Sequence, residues 1–153
     1  MPATETQPVN LEQLTCFALY AASRAVISAY RPLLDEAGIT YPQYLVLLVL
    51  WQRGPQPVKA LGQALALDSG TLSPLLKRLE TAGLIRRGRQ PGDERSVLIT
   101  LTAAGVALED RARDIPRRAA CAAELGTDEL DRLRASLVHF TAAISGPTHE
   151  GES

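Results

Sequence analysis

The stretch Val58 to Leu101 constrains the fold more than any other part of the chain. Gly54-Pro55-Gln56-Pro57 ends whatever helix precedes it. Val58 to Leu65 then predicts a short helix with Leu61, Ala64 and Leu65 inward. A four-residue join, Ala66 to Ser69, offers Asp68 or Ser69 as the cap of a longer helix. In that second helix Leu72, Leu75, Leu76 and Leu79 keep helical spacing until Gly83. Two short runs rich in Ile, Val and Leu follow, Leu84 to Arg89 and Ser96 to Leu101. They flank the polar turn Gln90-Pro91-Gly92-Asp93-Glu94 and predict a β-hairpin. Helix, tight join, helix and hairpin in that order make a winged helix-turn-helix.

Long helices are predicted on both sides. Asn10 with Gln13 forms a start signal, and Leu11, Leu14, Ala18, Ala21, Ala25 and Ala29 trace an apolar stripe that should stop near Gly38. Thr40-Tyr41-Pro42-Gln43 opens a second helix through the apolar run Tyr44 to Trp51, with Trp51 in the core. Thr102 caps a helix reaching about Ala123, kinked at Pro116, and Thr127 opens the last one, to about Ile144. The fold class is therefore mainly α with a small β-hairpin wing. Residues 10–145 form a single subunit, in which 56–101 is a DNA-binding unit and 10–55 and 102–145 are dimerisation helices. Flexible tails are expected at 1–9 and 146–153. Small residues such as Ala18, Ala21 and Ala25 suit close helix approach, between subunits or within one core.

Composition bears on the class of partner. A chain of 153 residues with 46% hydrophobic and 22% charged residues fits one globular domain and excludes a disordered or membrane-spanning chain. Met1 to Asn10 lacks the basic-then-apolar pattern of an export signal, so a cytoplasmic protein is expected, with Cys16 and Cys121 reduced at rest. The formal net charge is −1. It is unevenly spread. Residues 56–101 hold seven basic against four acidic side chains, a local +3, whereas both flanks are acidic.

Within that basic segment the second helix begins with Ser69, Thr71 and Ser73, small enough for approach to base edges in a major groove. Lys77 and Arg78 follow one turn on, placed for phosphate or guanine. The hairpin adds Arg86, Arg87 and Arg89 before its turn and Arg95 after it, which suits a narrow minor groove. Double-stranded operator DNA is the expected partner, read by a homodimer over two half-sites roughly 34–36 Å apart.

Cys16 lies on a helical stripe with Tyr20, Ser23, Ile27, Tyr30 and Leu34. A lone helical cysteine is ordinarily a small hydrophobe. Phenols alter that expectation, because a hydroxyl bonded to sulfur favours the thiolate that attacks peroxides. Fourteen residues of straight helix separate Cys16 from Tyr30 by about 21 Å along the axis. Any contact between them would require a second subunit. Tyr41 is another candidate donor.

Asp93-Glu94-Arg95-Ser96-Val97-Leu98-Ile99-Thr100-Leu101-Thr102 resembles the wing signature of MarR-type repressors, with Asp93 and Arg95 as its charged pair. Leu14-Thr15-Cys16-Phe17-Ala18-Leu19-Tyr20, Ile39-Thr40-Tyr41-Pro42-Gln43-Tyr44 and Leu67-Asp68-Ser69-Gly70-Thr71-Leu72 extend the match. Over roughly residues 10 to 145 the chain is similar to the organic-hydroperoxide-sensing OhrR branch. That resemblance implies a peroxide-reactive Cys16, with Tyr30 and Tyr41 bonding it and Tyr20 nearby. It also implies a resolving Cys121, an intersubunit disulfide that ends binding to a pseudo-palindromic operator, and recovery through a cellular dithiol.

Other chemistries find little support. His139 and His149 make no metal cluster with the cysteines, no phosphate-cradling loop or serine nucleophile motif is present, and no cofactor is expected. Two alternatives remain: a MarR-type repressor answering a phenolic or antibiotic ligand, and a thiol peroxidase. A peroxidase has no use for a basic hairpin, so an enzyme is not expected.

Overall fold

The computed structural model describes residues 8–146. The expected tails lie outside the described residues except for Pro8, Val9 and Gly146. The chain divides into two compact units, one ending at Pro116 and one beginning at Arg117.

The first unit starts with a single 3-10 turn, Leu11–Gln13, and not with the long helix itself. The Asn10 side chain accepts the Glu12 amide, and the Leu14 amide bonds back to Leu11. This tighter turn satisfies the local donors and leaves Leu14 extended. Helix α1 (Thr15–Ala37) follows and continues through Pro32. Gly38, at φ 73°, closes it, with the Gly38 and Ile39 amides bonding back to its last carbonyls. Helix α2 (Tyr41–Arg53) begins with a reciprocal cap between Thr40 and Gln43, as the sequence indicates. It buries Tyr44, Val46, Leu47, Val49 and Leu50, so it is the central helix of this unit.

Helices α3 (Val58–Leu65) and α4 (Ser69–Thr81) form the helix-turn-helix. Their join is three residues, since Asp68 is the cap and Ser69 is already helical. Ala66 adopts a left-handed conformation at φ 53° to make the turn. Leu61 is buried and Leu65 half-buried, but Ala64 faces solvent, contrary to the sequence expectation. In α4 the four expected leucines are all buried.

The sheet has three strands, β1 (Gln56–Pro57), β2 (Ile85–Gln90) and β3 (Asp93–Leu101), in the antiparallel order β1-β3-β2. β1 is too short to leave a periodic signal, and sequence reasoning missed it. Pro91 and Gly92 alone turn the hairpin, Gly92 at φ 84°. The expected five-residue turn is shorter because Gln90 and Asp93 already pair. Register then slips: Arg89 pairs with Val97, which leaves Glu94, Arg95 and Ser96 bulged between paired positions.

The single helix expected from Thr102 is two, α5 (Ala103–Ala112) and α6 (Ile115–Cys121). Pro116 lacks an amide proton, and its ring would clash with the Ala112 carbonyl, so the helix breaks at this point. Leu34, Leu47, Leu50, Leu61, Leu76, Leu79, Ile85, Ile99 and Leu108 join α1, α2, α3, α4, the hairpin and α5 in one core. Full burial of each such side chain contributes about 1.5–3 kcal/mol.

In the second unit the chain leaves α6 and enters helix α7 (Thr127–Ser145), capped by Gly126. No α7 residue is buried, and Leu133, Val138 and Ile144 are exposed.

Candidate functional site

The Asp68 carboxylate fixes the start of α4 by accepting the Thr71 amide at 2.7 Å. Hydrogen bonds from Thr71, amide then hydroxyl, hold this carboxyl below its ordinary range. Ser69, Thr71 and Ser73 are all exposed beyond this cap, with Lys77 and Arg78 further along the helix. The helix passes through Pro74, so the Gly70 carbonyl gets no partner from that position.

The hairpin is braced against α4. The Arg87 guanidinium donates to the Ser73 carbonyl at 3.4 Å and lies 3.8 Å from Glu80. Two of the expected DNA contacts, Arg87 and Ser73, thus meet each other. At the tip, Asp93 accepts the Arg95 amide at 3.1 Å, and Arg89 lies 3.9 Å from Glu94. Asp93 shapes the bulge that carries the exposed Arg95.

Behind this head, the Thr102 hydroxyl donates to the Gly83 carbonyl and the Thr102 amide to the Leu84 carbonyl. Gly105 packs so closely that a Cβ there would collide with the Leu84 carbonyl oxygen. The Trp51 indole N–H donates to the Gly105 carbonyl at 3.0 Å, which joins α2, the hairpin base and α5 at one point.

Cys16 is the second residue of α1 and is exposed, as is Cys121 at the end of α6. Tyr20 is exposed, and its hydroxyl accepts from Arg24. Because α1 is continuous, the chain does not bring Cys16 to Tyr30. Tyr30 instead packs edge-on against Tyr41, ring centroids 5.2 Å apart. Tyr44 lies 6.1 Å and 6.5 Å from those two rings, and Trp51 lies 6.3 Å beyond Tyr44. Tyr44 is 2% exposed, and its hydroxyl has no hydrogen-bond partner among the described residues. An unmet buried donor costs about 1–3 kcal/mol. Burial, then repulsion from Tyr30 and Tyr41, pushes the Tyr44 phenol up to about 12, and burial raises Tyr30 as well. Beside this cluster, Ile27, Arg31, Asp35, Ile39, Tyr41 and Arg78 help line a cleft of about 380 Å³.

The winged head and most of the chain match known proteins. The MarR family model matches residues 39–97. Over 129 residues the chain is 49% identical to the organic hydroperoxide resistance transcriptional regulator of Bacillus subtilis strain 168, covering 84% of this chain and 88% of that protein. The chain belongs to the MarR family. It is a DNA-binding transcriptional regulator of that family, and the resemblance read from its motifs is borne out. Among solved MarR-like structures, reduced AbfR bound to DNA aligns at TM-score 0.70 and 38% identity, over 82% of this chain and 87% of that one. Disulfide-formed AbfR aligns at TM-score 0.62 and 38% identity, over 83% and 89%. AbfR is a Staphylococcus epidermidis protein.

Sequence reasoning missed two residues within this MarR frame. Tyr44 stands in the sequence as the start of an apolar run and the end of the Ile39–Tyr44 match, with no role assigned to it, although its spacing of three from Tyr41 places both on one helix face. Gly105 left no signal at all, because close backbone approach is invisible in sequence. Among the described residues no group of His, Cys, Asp and Glu could hold a metal ion, and no single helix is long and apolar enough to cross a membrane.

Proposed function

We propose that this MarR-family chain is a dimeric, cytoplasmic repressor that senses organic hydroperoxides through Cys16. The observation that carries the reading is an exposed cysteine in the first turn of α1, together with paired phenols on α1 and α2. Across a dimer, Tyr30 and Tyr41 of one subunit would receive the sulfur of the other. The Cys16 thiolate attacks the terminal oxygen of ROOH, the O–O bond breaks, and the alkoxide leaves as alcohol after taking a proton. The resulting sulfenic acid condenses with the Cys121 thiol of the other subunit, forming a disulfide and releasing water. A cellular dithiol reverses the bridge by exchange. The same identity to a hydroperoxide resistance regulator supports this reading.

In the reduced state, Ser69, Thr71, Ser73, Lys77 and Arg78 enter the major groove of a pseudo-palindromic operator. Arg89 and Arg95 serve the wing, with Arg87 and Asp93 holding it in place.

The test is one equivalent of an organic hydroperoxide added to the reduced protein, followed by non-reducing electrophoresis and peptide mapping. A dimer-sized product containing a Cys16–Cys121 linkage is expected. An unmodified Cys16 would contradict the reading.

A second reading draws on the cleft between α1, the start of α2 and α4. A phenolic or antibiotic ligand seated there would link Tyr41 to Arg78 with no sulfur chemistry. Operator release by such a ligand in a Cys16→Ser variant would favour it.

A further inference from the structure

Pro74 is an interior residue of α4, and it is exposed. A proline there removes a backbone hydrogen bond and is the least favourable residue for a helix interior. The core does not call for it, because α4 is held by Leu72, Leu75, Leu76 and Leu79 on its other side. At about 100° per residue, Gly70, Pro74 and Lys77 make the line on α4 that stands opposite those leucines. Ser69, Thr71 and Ser73 flank that line. The Pro74 ring is therefore the middle of the face that a major groove would meet first. We propose that Pro74 is a specificity-determining residue of this helix, its ring carbons set against the C5-methyl group of one thymine in each half-site.

The inference rests on the entry of α4 into the major groove and is independent of the cysteine chemistry. Every base offers a donor or an acceptor on its major-groove edge, and thymine alone adds a methyl group. The proline ring has neither donor nor acceptor. Against a polar base edge it strips water and returns no hydrogen bond. Against a methyl group it buries apolar surface. The ring also loses no rotamer freedom on binding. Its position is fixed from the wing, since Arg87 donates to the adjacent Ser73 carbonyl at 3.4 Å. Gly70, one turn before the ring, adds no side chain to the line, although a Cβ there would meet only the Asp68 carboxylate at 3.3 Å. The approach of a base pair to the ring is thus left open.

Duplexes enriched from a random pool by the reduced full-length protein supply the test. Each thymine of the tightest duplex is replaced in turn by uracil, which removes only the methyl group, and affinity is read by fluorescence anisotropy at fixed salt. The wild type should bind about three- to tenfold more weakly when one particular thymine of a half-site is replaced. Pro74→Ser should show no penalty at that thymine, and Lys77→Ala should bind more weakly overall yet keep it. Pro74→Ser regains an amide donor in the helix, so its melting temperature should be equal or higher. A wild type with no uracil penalty at any position would overturn the assignment, as would the same penalty in Pro74→Ser. If Lys77→Ala also bound with unaltered affinity, α4 would not enter the groove and the docking reading would fail too. A weakened Lys77→Ala beside an unchanged penalty in Pro74→Ser removes only the inference.

Discussion

The Trp51 indole donates to the Gly105 carbonyl at 3.0 Å, at the point where α5 presses its backbone against Leu84. The two residues tie the central helix of the first unit to the base of the wing. Gly105 has to be glycine here, since any side chain would drive into the Leu84 carbonyl. Gly105→Ala should lower unfolding stability by about 1–3 kcal/mol through overpacking against backbone. Trp51→Phe should cost about 1 kcal/mol for the lost hydrogen bond. Urea denaturation midpoints check both. An unchanged midpoint for Gly105→Ala would show that α5 can shift away freely.

Arg95 and Arg87 should separate cleanly in DNA binding. Arg95 stands exposed in the β3 bulge, whereas Arg87 is turned to Ser73 and Glu80. Arg95→Ala should weaken operator affinity and reduce the slope of log affinity against log salt by about 1, the signature of one lost phosphate neighbour. Arg87→Ala should loosen the wing with a smaller change in that slope. Titrations at several salt concentrations measure both. Unchanged affinity for Arg95→Ala would remove the wing tip from the interface.

Asp68 gives the helix-turn-helix an acid-sensitive element. Its folded carboxyl titrates below its ordinary value of 3.8, mainly through the Thr71 amide. A depressed folded value stabilises the fold above the unfolded value, and that stabilisation is lost as pH falls through the folded one. Thermal unfolding of the wild type should therefore lose stability below about pH 4. Asp68→Asn keeps a good helix cap and should flatten that part of the curve. Identical acid limbs in the two proteins would contradict this role.

Much of this molecule could be read in its sequence, and particular residues show why. Leu72, Leu75, Leu76 and Leu79 declare α4 because burial repeats at the helical period. Thr40 and Gln43 declare the start of α2 because the cap is local. Pro116 was visible as a disturbance, but the choice between a kink and a break depended on the turn at residues 113–114. β1 and the Arg89–Val97 slip depend on partners far along the chain, which no local pattern encodes. At the candidate site, residue types could be read but pairings could not. Nothing in the spacing of Arg87 and Ser73 announced that they would engage each other, and nothing marked the Tyr44 hydroxyl as unmet.

The central claim is that oxidation of Cys16 ends DNA binding. Fluorescence anisotropy of the reduced protein on labelled DNA from its own upstream region, titrated with an organic hydroperoxide, measures this directly. The account predicts release at about one oxidant per subunit, rebinding after a dithiol is added, and no release from Cys16→Ser. Release of Cys16→Ser at the same dose would contradict it.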